Sequence, residues 1–87
     1  MSAEALSTKY IDSMVKTFND LKRTKGPIVI SEERADEIFG YVKAYLEDAK
    51  YFRDQKQFET ALTSIAYCEG LLDALKLIGA AKTQSAP

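Results

Sequence analysis

Between residues 35 and 52 the chain places apolar or aromatic side chains at Ala35, Ile38, Phe39, Val42, Tyr45, Leu46, Ala49 and Phe52. At about 100° per residue these eight positions fall within an arc of roughly 140°, while the opposite side is charged. A stripe this broad predicts an amphipathic helix over about 32–53, with one buried face and one wet face. It rules out a strand, whose side chains alternate with a period of two. It also demands neighbours, because a single helix cannot bury its own stripe.

Two further stripes supply them. Leu6, Tyr10, Met14, Phe18 and Leu21, widened by Ile11, predict a first helix over about 3–24. Gly26 and Pro27 then break the pattern. The following "GPIVI" is apolar and β-branched and is expected to lie across the end of the helices. Ser31 is placed to cap the second helix, with Glu32 and Glu33 at its positive end and an Ile30–Ala35 staple. After "RDQKQF", Asp54 is the expected cap of a third helix over about 55–78, with Gln57 in the capping-box position. So short a link makes the second and third helices an antiparallel hairpin. Gly79 is the expected C-cap, and 80–87 reads as a frayed tail. The reading is one all-α domain spanning 1–87, an up-and-down antiparallel three-helix bundle.

The third helix carries an anomaly. Phe58, Ala61, Leu62 and Ile65 begin its inner face and Cys68, Leu71, Leu72, Leu75 and Ile78 continue it, yet Ala66, Gly70 and Ala74 line up on another side beside Leu77. A row of small residues admits a close neighbour, and Gly70 inside a helix costs about 1 kcal/mol relative to Ala. The last two turns are therefore apolar nearly all round, which normally means burial all round. Either "GPIVI" and the tail cover the surplus, or a second chain does. The expected interface is Ala66, Gly70, Ala74, Leu77 and Ile78, with Glu69 and Asp73 as a polar rim. An Asp73–Lys76 pair on a solvated strip is the plainer account of those charges.

Chemistry is sparse. The 87 residues contain no histidine, one cysteine and four isolated glycines. This excludes His-based triads, zinc helices and glycine-rich phosphate loops. No catalytic residue, metal ligand or cofactor site is expected, and Cys68 reads as a small buried hydrophobe. Glu69 and Asp73 as an acid/base or metal pair give the one enzymatic alternative. A net charge of −1 points to no polyanion partner. A nucleic-acid accessory role would rest on Lys16, Lys22, Arg23 and Lys25, three of them at the expected end of helix one. Tyr41 and Tyr51 are the stacking candidates, equally explained as amphipathic edges of a core.

The lone cysteine and a start lacking a basic-then-apolar pattern lead to an expectation of a cytoplasmic protein without membrane association. The expected function is non-enzymatic contact with its own copy, as a homo-oligomer, or with another protein.

Tyr45, Asp48, Ala49 and Phe52, then Phe58 and Ala61, then Tyr67, Glu69 or Gly70, Leu72, Asp73, Ala74 and Gly79 together resemble the signature of an archaeal family, domain of unknown function 357. The resemblance is strong over about 35 residues. It implies a compact three-helix bundle, an archaeal source and no assigned activity, and it carries no catalytic residues. That family tends to have a glycine-containing turn between its helices, where this chain has "DQKQ". A weaker similarity to a tetratricopeptide hairpin runs through Tyr45, Phe52, Phe58 and Ala61, and one such unit builds no solenoid.

Overall fold

A computed structural model describes residues 2–84. It contains α1 (Ala3–Asp20), α2 (Glu32–Asp54) and α3 (Phe58–Leu77), and no strand among the described residues. The protein is all-α. Residues 85–87 of the tail lie outside the described residues.

The start of α2 follows its sequence signals. The Ser31 hydroxyl accepts the Arg34 backbone N–H at 3.1 Å, and Glu32 and Glu33 occupy the positive first turn. Ile30 and Ala35 line one small cleft with Ile28, Ile78 and Ala80, so the apolar link does reach the end of α3. Val29 between them points to solvent.

The turn between α2 and α3 corrects the expected cap. Asp54 is the last residue of α2, its carboxylate 3.2 Å from Arg53 Nε, and α3 begins three residues later than expected, at Phe58. Gln57 is the cap residue and makes no side-chain capping bond. The reason lies in how α2 ends. Gln57 N–H donates to Phe52 C=O at 2.8 Å and Lys56 N–H to Arg53 C=O at 2.9 Å. This pair of reversed bonds satisfies the last carbonyls and requires a left-handed residue between them. Lys56 takes that conformation, with φ of 61°. A lysine thus does the work that a glycine would do without steric cost.

From that turn α2 and α3 run antiparallel and pack along their length. Near the middle, the Tyr45 and Tyr67 rings lie 4.5 Å apart, and the Cys68 thiol donates to Val42 C=O at 3.3 Å. Cys68 is the buried small hydrophobe expected of it. Ala49, Cys68 and Leu75 are the buried residues of the seam, with Leu75 deepest at 1% exposed. Ile38, Val42, Tyr45, Phe52, Ile65, Leu71 and Leu72 surround them half-buried.

The first helix behaves differently. It stops at Asp20 rather than Thr24, with Leu21 already extended at φ −77° and ψ 135°. Its last turn has no cation and ends in a carboxylate at the negative helix end, which opposes propagation. It packs on neither α2 nor α3, and every residue from Ser2 to Arg34 is exposed. The radius of gyration is accordingly 16.0 Å, against about 12 Å for a compact chain of this length. All three helices of the bundle are present, with the α2–α3 side closed and the α1 side open.

Lys56→Gly is expected to raise stability by about 1 kcal/mol by relieving the left-handed backbone. Asp54→Ala should change it by only a few tenths, rather than the roughly 1 kcal/mol of a lost cap. Urea midpoints of the two variants test the turn assignment, and a large loss in Asp54→Ala would restore the capping role.

Candidate interaction surface

Three apolar surfaces remain uncovered. The first is a groove of about 490 Å³ beside the seam, floored by Leu46, Ala49, Phe58, Ala61, Leu62 and Ile65 and edged by Lys50 and Arg53. The stripe of α2 is wider than one neighbour can cover. Its centre meets α3, and its edge, Phe39 and Leu46, is left more than a third exposed. On α3 the matching edge is Phe58 and Leu62, the latter 67% exposed although the spacing places it on the inner face. Of these, Leu46, Phe58 and Leu62 line the groove itself.

The second surface is the α1 stripe itself. Tyr10 and Phe18 are 65% and 71% exposed, with Ile11, Met14 and Val15 similarly bare. The third is the back of α3, opposite the seam. Here Ala66, Gly70, Ala74, Leu77 and Ile78 are all exposed, Leu77 at 86%. A Cβ added at Gly70 would meet nothing within 4 Å, so no close approach occurs within the chain. Gly70 instead shares a shallow apolar hollow of about 230 Å³ with Tyr67 and Leu71. Ile78 turns toward the cleft formed with Ile28 and Ile30, whereas Leu77 has no such cover. Gly79 ends the helix as expected, at φ 78°, with Ala80 N–H bonded to Leu75 C=O at 2.8 Å.

The charged residues pair only locally, between near neighbours in sequence. Glu69 and Asp73 are exposed, and the Asp73–Lys76 pair does not form. The ion pairs found among the described residues are Arg34–Glu37, Glu47–Lys50 and Arg53–Asp54, all on the surface. No three metal-ligating side chains come together among the described residues. Lys22, Arg23 and Lys25 belong to the exposed link and not to a helix end, because α1 stops short of them. Tyr41 and Tyr51 are exposed edge residues, Tyr41 bonded to Glu37 at 3.4 Å and Tyr51 set edge-on to Phe52. The Tyr45–Tyr67 stack was not legible from the α2 stripe, since Tyr67 lies off the periodic face of α3; its aromatic type was the one available signal.

A packed helical hairpin joined to an amphipathic first helix defines a small all-α protein. The family model described as "Protein of unknown function (DUF357)" matches residues 9–81, and the chain belongs to that family. Neither the curated proteins nor the solved structures gave a match. No helix among the described residues is long and apolar enough to cross a membrane.

Cys68 offers a direct probe of the seam. Its thiol is expected to react with a disulfide reagent slowly in the native chain and orders of magnitude faster in denaturant, following opening of the hairpin. Prompt native reactivity would contradict the buried thiol–carbonyl bond.

Proposed function

We propose that this protein is a non-enzymatic helical module that acts by self-association or by binding another protein. The observation that supports this most is the apolar stripe of α1, open to solvent along its whole length beside an equally open hairpin groove. Exposed apolar continuity of this extent marks contact surfaces in soluble proteins. An 18-residue helix rich in Ser, Thr and β-branched residues also gains little from propensity, so its helicity needs a partner. The back of α3 belongs to the same reading. Leu77 with Ala66, Gly70, Ala74 and Ile78 forms a second contact, and Glu69 and Asp73 form its rim. A reducing compartment, the cytoplasm, suits a chain whose single thiol is buried and unpaired.

A second reading has one observation in its favour. Lys16, Lys22, Arg23 and Lys25 are exposed and make no ion pair among the described residues, as a nucleic-acid accessory protein would require. Binding of a labelled RNA or DNA that falls steeply with salt would support that reading, and no binding at low salt would remove it.

Sedimentation equilibrium over a wide concentration range, with Leu77→Glu as the variant, tests the main reading. The wild-type chain is expected to associate, and Leu77→Glu to weaken association or partner capture at least tenfold. Unchanged assembly would remove the back of α3 from the contact. Gly70→Ala separates packing from propensity. On a free surface it should add up to about 1 kcal/mol of stability, whereas at a close contact it should weaken association.

A further inference from the structure

Building on the self-association reading, we infer that the groove beside the α2–α3 seam receives α1 of a second copy, and that two chains exchange their first helices. Three observations meet in this arrangement. The chain exposes 7941 Å², about 2,800 Å² more than the roughly 5,100 Å² of a compact monomer of its mass. Two copies that each cover this excess bury an area at or above the 2,000–5,000 Å² range of obligate homodimers. A contact of ordinary transient size leaves much of it exposed.

The groove and α1 are complementary. Leu46 and Ala49 on α2, with Phe58, Ala61, Leu62 and Ile65 on α3, line one apolar groove toward the turn end of the hairpin, and Phe39 is exposed further along α2. At 18 residues α1 is about 27 Å long, close to the length of α3, and presents Leu6, Tyr10, Met14 and Phe18 in a single row. Running antiparallel to α2, it brings Glu4 of its first turn to the trough's end at Lys50 and Arg53. It also carries Lys22 and Arg23 toward Glu32, Glu33 and Asp36 at the start of α2. Opposite charges meet at both ends.

The link selects the neighbour over the chain's own hairpin. Residues 21–31 contain a bend at Gly26 but no hydrogen-bonded turn among the described residues. Ile28 and Ile30 share an open cleft with the end of α3 while staying exposed, and Leu21 leaves α1 in extended conformation. With the chain extended where it leaves α1, that helix stands off its own hairpin. Closing α1 on its own groove requires this link to fold back, whereas exchange between identical chains uses its extended course as it stands.

The full chain with Cys68→Ala, carrying Leu62→Cys together with either Leu6→Cys or Tyr10→Cys, tests this after mild oxidation and non-reducing electrophoresis. Disulfide formation needs the paired Cα atoms within about 7 Å. Exchange predicts a covalent dimer of doubled mass in at least one double variant and not in the single-cysteine controls. An intramolecular link at monomer mass overturns it and shows each chain closing on itself. No link overturns it as well. Sedimentation of the same chains without oxidation separates the two levels of the argument. A dimer without any α1–hairpin link refutes exchange but leaves self-association standing, whereas a monomer at all concentrations refutes both and leaves binding of a different protein.

Discussion

The packed part of this molecule depends on the seam in which Leu75, Cys68 and Ala49 are closed off between α2 and α3. Burial of a leucine is worth about 1.5–3 kcal/mol, and it is non-directional. Direction comes from elsewhere in the seam. The Tyr45–Tyr67 stack and the thiol–carbonyl bond from Cys68 to Val42 set the register of the two helices. The turn at Lys56 then holds them antiparallel. Small side chains at two of the three buried positions allow the helices to approach closely, and this draws the flanking larger side chains into partial burial.

Three buried residues make a small core for a chain of this length. Folding must offset a conformational entropy cost of about 1–2 kcal/mol for each ordered residue, so a hairpin alone is a marginal unit. The architecture is therefore incomplete in a specific place. The uncovered edge of α2 and the uncovered edge of α3 lie side by side, and the helix with a matching row of large apolar groups belongs to the same sequence. The physics that closes the seam acts equally on that trough, and it is indifferent to whether the helix that fills it comes from the same chain or another. The extended exit from α1, which stands off its own hairpin, is the feature that favours another chain.

Much of this was legible before any coordinates. Ser31 caps α2, Gly79 ends α3, and Cys68 is buried, because capping, left-handed termination and apolar periodicity are local properties. The turn was misread for an instructive reason. Asp54 and Gln57 have the right types and spacing for a capping box, but the hydrogen bonds that close α2 run through Lys56, a residue type that rarely adopts a left-handed backbone. The apolar character of the end of α3 was also visible, and Ile78 there stays exposed although it shares a cleft with the link. The bareness of Phe58 and Leu62 was not visible, since periodicity reports which residues share a face and not whether anything lies against it.

By itself, then, the sequence determined the helical class, the three amphipathic faces, the main breaks between them and the absence of histidine-based or phosphate-loop chemistry. These follow from period, side-chain type and backbone preference over a few residues. Only the tertiary structure decided which faces are satisfied. It closed α2 on α3, left α1 without a helix partner among the described residues, and left an open apolar groove beside the seam. Pairing of faces depends on contacts between residues far apart in the chain and on the path of the links, and neither is written in local periodicity.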